Sequence, residues 1–367
     1  MKNYYFDNST TSFPKPKEVA EEIYNFIMNT GGTYGRINTE RGKETTKKIE
    51  ECRELLAKKF LGTENYSNVI FTSGATRSIN DILIGLDLHD CKVLISNLEH
   101  NAVLRPIYQL SKNKNVKYNI IPSLENGIIN THLLSQIIKK EKISLVIVNM
   151  ESNVSGLIQP MAEIKEAIGE IPLLADATQS AGMHEIKADE WNIDFISFTG
   201  HKGLLGPAGT GGFYVKNPDK LKPAYFGGGF GDSYETPYSI PEIYESGTPN
   251  TVGIIGLSAA LKNRPSWNID INDMIDSIKE IESMNKYNVI WSKNKYSQGF
   301  LFSITADNMP DLAHRLYEDY NIECRYGFHC SFLAHNFYGN NKGAIRFSFS
   351  PYTVKKDLKY LINVLGQ

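Results

Sequence analysis

The sequence predicts an α/β protein with a large domain built on a mostly parallel sheet, followed by a smaller α+β domain. Short β-rich segments alternate with helical patterns through the first part of the chain, and several of the β-rich segments are continuously apolar. A parallel sheet covered by helices on both faces produces this pattern, because its strands are buried on both sides. After roughly Gly256 the pattern changes to a mixture of helices and strands.

The alternating part contains seven candidate strands. They are Val69–Thr72, Lys92–Ser96, Lys117–Ile121, Leu145–Asn149, Ile171–Ala175, Phe195–Thr199 and Gly212–Val215. Apolar residues at helical spacing lie between them, in one helix that starts at Thr76 and in another that covers His132–Lys140. We therefore expect a seven-stranded sheet in a large domain that spans residues 13–256.

Residues 257–367 are predicted to form the small C-terminal domain, with residues 1–12 packed alongside it. The pattern indicates two helices and four strands. They are helix Ile271–Met284, strands near Tyr287–Trp291 and Gly299–Thr305, helix Asp311–Tyr320, a strand near Ile322–Tyr326, and the last strand Ile345–Ser348.

The composition is that of an ordinary globular enzyme. The chain has 367 residues, of which 41% are hydrophobic and 22% charged, and its net charge is −2. This charge favours neither nucleic acid nor an anionic membrane as a partner. No apolar run is long enough to span a bilayer, and Met1–Asp7 lacks the core of a signal peptide. We expect a cytoplasmic protein without a membrane partner.

The four cysteines, Cys52, Cys91, Cys324 and Cys330, form no CxxC pair and no zinc spacing. We therefore expect no metal site, and free thiols in a reducing compartment. Cys52 falls on the apolar face of a helical pattern, which predicts a place in the core.

Two strand-end residues suggest a cofactor. Lys202 follows one apolar strand and Asp176 ends another. A lysine amine can form a Schiff base with the aldehyde of pyridoxal 5'-phosphate, and a carboxylate can keep the pyridine nitrogen protonated. Each residue alone has a simpler interpretation, since a lysine after a strand is more often a solvated charge.

A phosphate cradle is predicted where the strand Val69–Thr72 runs through a glycine turn into a helix. Gly74, Ala75 and Thr76 would present free amide groups and a hydroxyl at the helix N-terminus. An ordinary helix cap is the alternative for this motif by itself. Thr199 and His201, beside Lys202, could add donors to the same phosphate.

Three further polar residues lie just beyond predicted strands. His100 could lie over a pyridine ring and move protons, while Asn153 and Gln179 could donate hydrogen bonds near the phenolic oxygen of the cofactor. Open α/β sheets bind ligands at the carboxyl ends of their strands. Polar residues at so many strand ends favour one shared site over independent accidents.

The chain resembles the cysteine desulfurase family of class V, fold type I, pyridoxal-phosphate enzymes, and within it the selenocysteine-lyase-like branch. The similar motifs run almost from end to end. They are Tyr5–Thr11, Phe71–Thr76, Glu99–Pro106, Ser152–Gly156, Ala175–Gly182, Thr199–Pro207, Glu245–Thr251 and Arg325–Cys330. The segment between Leu261 and Ser303 is shorter than in that family, so we expect a trimmed small domain.

The resemblance implies a role for each cofactor residue. Lys202 would carry the cofactor, Asp176 would pair with its pyridine nitrogen, and His100 would stack on its ring. The other implied cofactor residues are Gly74, Ala75, Thr76, Asn153, Gln179, Thr199, His201 and Thr248. Thr248 would reach the phosphate bound by the partner subunit, which implies a homodimer with a shared active site.

Arg346 is the substrate residue that the resemblance implies, together with Asn153. Its guanidinium would hold the substrate carboxylate through two parallel hydrogen bonds, which a lysine could not supply. Without the resemblance, Arg346 would be a surface charge on a strand.

Cys330 is the implied nucleophile. Its thiolate would take the substrate sulfur or selenium, leaving a persulfide and releasing alanine, and His329 and Arg325 are expected to favour the thiolate. The expected substrate is L-cysteine or L-selenocysteine, with a sulfur-acceptor protein as a further partner. The alternatives are a selenocysteine lyase, a class V aminotransferase or other lyase, and a non-catalytic cofactor-binding protein.

Overall fold

The computed structural model describes residues 3–229, 234–235 and 239–367. Met1 and Lys2 of the predicted N-terminal segment lie outside the described residues, as do residues 230–233 and 236–238 of the predicted large domain. Among the described helices, none has the length and apolar character needed to cross a bilayer.

The described strands are, in chain order, β1 (Tyr4–Tyr5), β2 (Val69–Thr72), β3 (Lys92–Ile95), β4 (Lys117–Ile120), β5 (Leu145–Asn149), β6 (Leu173–Asp176), β7 (Phe195–Thr199), β8 (Gly211–Val215), β9 (Asn288–Ile290), β10 (Leu301–Thr305), β11 (Ile322–Glu323), β12 (Arg325–Gly327) and β13 (Ala344–Ser348). The described α-helices are α1 (Lys17–Asn25), α2 (Glu40–Leu55), α3 (Ala75–Gly85), α4 (Asn101–Asn113), α5 (Thr131–Lys140), α6 (Met161–Ile168), α7 (Thr251–Lys262), α8 (Ile271–Ser283), α9 (Met309–Glu318), α10 (Phe332–Phe337) and α11 (Lys355–Gly366).

Seven of the described strands form the central sheet, in the order β2-β8-β7-β6-β5-β3-β4. Strand β8 runs antiparallel to β2 and β7, and the remaining neighbours are parallel. The predicted seven-stranded, mostly parallel sheet is therefore confirmed. Several predicted strand ends are wrong by one or two residues. The largest difference is at β6, which begins at Leu173 rather than Ile171, after Pro172, which has no amide hydrogen to donate to a ladder.

The strands in the middle of the sheet are buried on both faces. On β5, Leu145 and Ile147 belong to one apolar cluster, while Val146 and Val148 belong to another. Successive side chains of a strand point to opposite faces, so this alternation places a core on each side of the sheet. The edge strand β4 differs, because all four of its residues are exposed.

The C-terminal part forms an antiparallel sheet in the order β12-β13-β10-β9. The predicted strand near Ile322–Tyr326 is in fact two strands: β11 pairs with β1, and β12 pairs with β13. The chain changes sheets between them, at Cys324. Phe6, just after β1, packs in the same apolar cluster as Phe302 and Phe347. The domain limits at 13–256 and 257–367 stay a prediction.

Candidate active site

The turn between β2 and α3 forms a cradle at the carboxyl edge of the sheet. Gly74 has a φ of +146°, which glycine adopts readily and other residues rarely do. The Thr72 hydroxyl accepts a hydrogen bond from the Gly74 amide at 3.1 Å and lies 2.8 Å from the Ser78 hydroxyl. Helix α3 begins at Ala75, one residue before the predicted start. The residues of its first turn line a cavity.

This cavity has a volume of about 230 Å³ and brings together most of the predicted cofactor residues. The predicted residues that line it are Gly74, Ala75, Thr76, His100, Thr199, His201 and Lys202. Ser73, Arg77 and Thr178 line it as well, although the sequence had not indicated them. Ser73 and Arg77 are each adjacent to a predicted residue, and Thr178 lies two positions after Asp176.

Lys202 and Asp176 change each other's protonation inside the protein. Burial and the charge of Arg346 together lower the pKa of Lys202 to about 8, although Asp176 opposes them. Burial raises the pKa of Asp176, against hydrogen bonds from the Thr178 hydroxyl and from its amide, 3.0 Å from Oδ1. Lys202 therefore loses its proton more readily than an ordinary lysine, and more of the free amine exists near neutral pH.

His100 is a neutral imidazole in a fixed orientation. It caps α4, and its Nδ1 accepts a hydrogen bond from the Ala102 amide at 3.0 Å. Burial lowers the pKa of His100 to about 4, with a further contribution from Lys202. With Nδ1 occupied as an acceptor, the single ring proton lies on Nε2.

Glu99, the residue before His100, is fully buried. Ser96 donates a hydrogen bond to its carboxyl group at 2.8 Å. Burial and the nearby charge of Asp176 together raise the pKa of Glu99 to about 8. The carboxyl group is therefore mostly protonated near neutral pH. Its position in the motif Glu99–Pro106 was visible in the sequence, but its burial was not.

Asn153 holds the loop that carries Cys330. Its side-chain nitrogen donates to the His329 carbonyl oxygen at 2.8 Å, and its side-chain oxygen accepts from the Ser331 hydroxyl at 2.6 Å. Its own carbonyl oxygen accepts a hydrogen bond from Arg346 at 3.2 Å. Asn153, predicted as a cofactor and substrate residue, thus also joins the loop after β5 to the segment around Cys330.

Four of the predicted cofactor residues do not line the cavity of about 230 Å³: Asn153, Asp176, Gln179 and Thr248. Gln179 nevertheless lines a separate small cavity together with Lys202. The Gln179 side chain donates to the carbonyl oxygen of Ser9 at 3.2 Å. Thr248 is exposed and lines a neighbouring cavity of about 280 Å³, which also contacts Ser73 and Arg77. This cavity and the cavity of about 230 Å³ therefore share Ser73, Arg77 and Gly209 as lining residues.

Arg346 is buried, so the simpler interpretation as a surface charge is wrong. It forms an ion pair with Asp7, 2.7 Å from Oδ1, and donates to the Thr10 hydroxyl at 3.0 Å. Burial lowers the pKa of Arg346, and Asp7 opposes that shift. Its Nε has no hydrogen-bond partner among the residues that the structure describes.

Cys330 is exposed on a tight loop after β12. His329 and Cys330 both have left-handed backbones, with φ of 51° and 56°. The Cys330 carbonyl oxygen accepts a hydrogen bond from the Asn101 amide at 2.8 Å, which ties the loop to the residue after His100. Arg325 Nη2 lies 3.9 Å from the Cys330 sulfur.

The expected contribution of His329 to the thiolate is wrong. Burial holds the pKa of His329 well below its usual value, and the charge of Arg346 adds to this. Its Nε2 lies 3.1 Å from the Arg325 carbonyl oxygen, and its ring faces that of His335, 5.5 Å away. A neutral, buried ring cannot supply a cation, so Arg325 is the positive group beside the sulfur.

Another cavity, of about 480 Å³, is lined both by the thiol and by residues of the predicted cofactor site. Thr76, His100 and Cys330 line it together with apolar and polar residues of α3 and α4, among them Leu83, Asn80 and Arg105. Because Thr76 and His100 also line the cavity of Lys202, the amine and the thiol face two adjoining spaces. Among the described residues, no group of three or more His, Cys, Asp or Glu side chains is arranged to hold a metal ion.

A model of the family "Aminotransferase class-V" matches residues 4–361 of the chain. The chain belongs to the class V aminotransferase family. Among curated members, a probable cysteine desulfurase from Pyrococcus abyssi is 29% identical over 99% of this chain and 93% of its own length. A probable cysteine desulfurase from Borreliella burgdorferi is 30% identical over 98% and 90%.

Solved structures of class V aminotransferases have the same fold. The apo cysteine desulfurase of Thermococcus onnurineus NA1 superimposes with a TM-score of 0.90 and 26% identity, over 99% of this chain and 94% of that chain. The Escherichia coli cysteine desulfurase CsdA gives a TM-score of 0.82 and 25% identity, over 99% and 93%. Class V cysteine desulfurases depend on pyridoxal phosphate.

Proposed function

We propose that this class V protein is a pyridoxal-phosphate-dependent cysteine desulfurase. One relationship carries the proposal: the buried Lys202 amine and the exposed Cys330 thiol line adjoining cavities that share Thr76 and His100. In the proposed reaction, L-cysteine and the Cys330 thiol give L-alanine and a Cys330 persulfide. The substrate carbon–sulfur bond breaks, a sulfur–sulfur bond forms, and the number of atoms on each side is equal.

The residues around Lys202 fit the cofactor. The N-terminus of α3 and the Thr76 and Thr199 hydroxyl groups offer donors to a phosphate. His201 lines the same cavity, and its buried Nδ1 has no hydrogen-bond partner within the described part of the chain. A neutral amine and a carboxyl group are the two further groups that the cofactor requires. When bound, pyridoxal phosphate supplies an electron sink for chemistry at the substrate α-carbon.

Lys202 and Asp176 would have complementary tasks at the cofactor ring. The lowered pKa of Lys202, about 8, provides the free amine that can attack an aldehyde near neutral pH. Asp176, held by Thr178, would pair with the pyridine nitrogen. His100 would lie over the ring, and its Nε2 would move protons between the ring side and the substrate. Gln179 would act on the phenolic-oxygen side.

The substrate would be held from the C-terminal side. Arg346 would donate to its carboxylate from Nε, the guanidinium nitrogen that has no partner among the described residues, beside the Asn153 carbonyl oxygen. The Cys330 thiolate, beside the positive Arg325, would attack the substrate sulfur. The loop contacts of Asn153 would keep the thiol near this position.

A homodimer completes the proposal. Thr248 is exposed at the cavity next to the cofactor site, where it would contact the phosphate bound by a second copy of the chain. The exposed Cys330 would pass its sulfur to an acceptor protein. A free exposed thiol fits a reducing compartment, which supports the cytoplasm as the location.

The test is a single assay on purified protein reconstituted with pyridoxal phosphate. L-cysteine and L-selenocysteine are supplied separately, alanine is quantified, and the Cys330 peptide is examined by mass spectrometry. We expect alanine from L-cysteine and a peptide heavier by one sulfur atom, both lost in Cys330→Ala while cofactor absorbance remains.

Other outcomes identify the alternatives. Alanine from selenocysteine alone, insensitive to Cys330→Ala, indicates a selenocysteine lyase. A keto acid in place of alanine indicates an aminotransferase, and bound cofactor without turnover indicates a non-catalytic binding protein. Each of these results would overturn the desulfurase proposal.

A further inference from the structure

The Thr10 hydroxyl lies between the two arginines that face the substrate and the thiol. It accepts hydrogen bonds from Arg346 Nη2 at 3.0 Å and from Arg325 Nη1 at 3.0 Å. It donates to Asp7 Oδ1 at 2.8 Å. A hydroxyl group has one proton to donate and two lone pairs to accept with, so these contacts use its full capacity.

Each arginine is fixed by this arrangement while keeping one group free for chemistry. Arg346 is bonded to Asp7, Thr10 and the Asn153 carbonyl oxygen, which leaves Nε without a partner among the described residues. Arg325 is bonded through Nη1 to Thr10, and its Nη2 lies 3.9 Å from the Cys330 sulfur.

Two neighbouring guanidinium groups repel each other unless something between them offsets the repulsion. The charge of Arg325 lowers the pKa of the buried Arg346, after the larger effect of burial. Asp7 supplies a negative charge on one side, and the Thr10 oxygen supplies two acceptor sites between the cations. Loss of the hydroxyl would leave Arg325 without this anchor and free to turn away from Cys330.

We propose that Thr10 is a positioning residue that couples the substrate-carboxylate site to the nucleophile. Through one hydroxyl group it aims Arg346 at the carboxylate and holds Arg325 against the Cys330 sulfur. The inference rests on the proposed function for the identity of the substrate. The contact between Arg325 and the sulfur exists without any substrate, so it can be tested separately.

The test compares Thr10→Val with Thr10→Ser in the cofactor-loaded protein. Valine matches threonine in shape but has no hydroxyl, and serine keeps it. The first measurement is the rate at which iodoacetamide alkylates Cys330 near neutral pH, followed by mass spectrometry of the Cys330 peptide. We expect this rate to fall several-fold in Thr10→Val, because the thiolate is the reactive form, and to recover in Thr10→Ser.

The second measurement is the KM for L-cysteine. In Thr10→Val we expect KM to rise about 10-fold, as for the loss of one hydrogen bond to a charged group. A role in folding alone would lower the melting temperature and leave the KM of the folded fraction unchanged. Thr10→Ser should restore KM together with the alkylation rate.

Arg325→Met by itself keeps the inference falsifiable if Thr10→Val is unstable, because a wild-type alkylation rate in that variant would show that Arg325 does not act on the thiol. Arg325→Met should slow alkylation by itself, and adding Thr10→Val should slow it no further, because the hydroxyl acts through that arginine. Independent losses in the double variant would overturn the coupling, as would a wild-type alkylation rate in folded Thr10→Val. These results hold whether or not the wild-type protein releases alanine, so failure of the desulfurase proposal remains distinguishable.

Discussion

The side-chain oxygen of Asn153 accepts a hydrogen bond from the Ser331 hydroxyl at 2.6 Å, with both groups buried. On the other side of Cys330, the Asn153 nitrogen donates to the carbonyl oxygen of His329 at 2.8 Å. The Asn153 side chain, in the loop after β5, thus forms hydrogen bonds with both neighbours of the exposed Cys330. The position of the thiol therefore depends on a residue far from it in the sequence.

We expect Asn153→Ala to loosen this loop and to slow persulfide formation at Cys330 about 10-fold or more, because two buried polar partners lose their hydrogen bonds. Cofactor absorbance should remain. A double-mutant cycle with Ser331→Ala should give a coupling free energy of about 1 kcal/mol. Ser111→Ala, which removes an exposed hydroxyl, is the control. Strictly additive losses would show that the two residues act separately.

The buried ion pair of Arg53 and Glu245 predicts a large loss of stability when one partner is removed. Their side chains are 0% and 4% exposed and lie 2.6 Å apart. Glu245→Gln should lower the free energy of unfolding by about 3–5 kcal/mol, because the buried Arg53 charge then keeps only the partly exposed Glu50 as a counter-ion. Chemical denaturation of the apo protein measures this.

Glu54→Gln is the matched control, since it breaks the exposed pair with Lys58 and should leave the denaturation midpoint unchanged. Glu245 also accepts a hydrogen bond from the Phe71 amide on β2, at 2.7 Å. The Gln variant should therefore bind pyridoxal phosphate more weakly as well. A Glu245→Gln protein as stable as the wild type would refute the role assigned to this pair.

Glu99 predicts a pH dependence of stability. Its pKa of about 8 in the folded protein exceeds the ordinary value of 4.5, so the folded state keeps a proton that the unfolded chain releases between these values. The free energy of unfolding should therefore fall as pH rises through this window, by up to about 1.4 kcal/mol per pH unit. The stabilisation that Glu99 contributes is complete below its pKa in the unfolded chain, and it is lost as the pH rises toward 8.

Glu99→Gln should remove this slope, because its amide has no proton to lose. The stability of the variant relative to the wild type should rise steadily from about pH 5 to about pH 8, as measured by urea denaturation of the apo protein. Glu125→Gln, at an exposed position, should show a constant difference. A constant difference for Glu99→Gln would mean that the carboxyl group is already ionised in the fold.

Gly211 predicts a steric requirement at the phosphate cradle. A Cβ added there would lie 2.6 Å from the Gly74 Cα and 2.7 Å from the Phe198 carbonyl oxygen, so the backbone must shift. Gly211→Ala should lower stability by about 1–3 kcal/mol and weaken pyridoxal phosphate binding, measured by absorbance titration. Gly228→Ala is the control, since its Cβ would meet no atom within 4 Å. Equal affinities in the two variants would argue against the cradle.

The fold class and the place of the site could be predicted from the pattern of amino acids alone. Strands buried on both faces are mostly apolar, so β5 could be recognised as a nearly continuous apolar run and β7 from its three apolar residues. Parallel strands bring their carboxyl ends to one edge, so Thr76, Thr199 and Lys202 could be expected together. These features depend on local composition and on the direction of the chain.

The coupling between the site residues depends on contacts that form only in the folded chain. Thr10 lies between Arg325 and Arg346 because β1 pairs with β11, next to the sheet that contains β12 and β13. His329 is neutral because neighbouring segments bury it, although its sequence position suggested a cation beside the thiol. Burial and contacts between distant segments set these charges and hydrogen bonds, and no local pattern of residues records them.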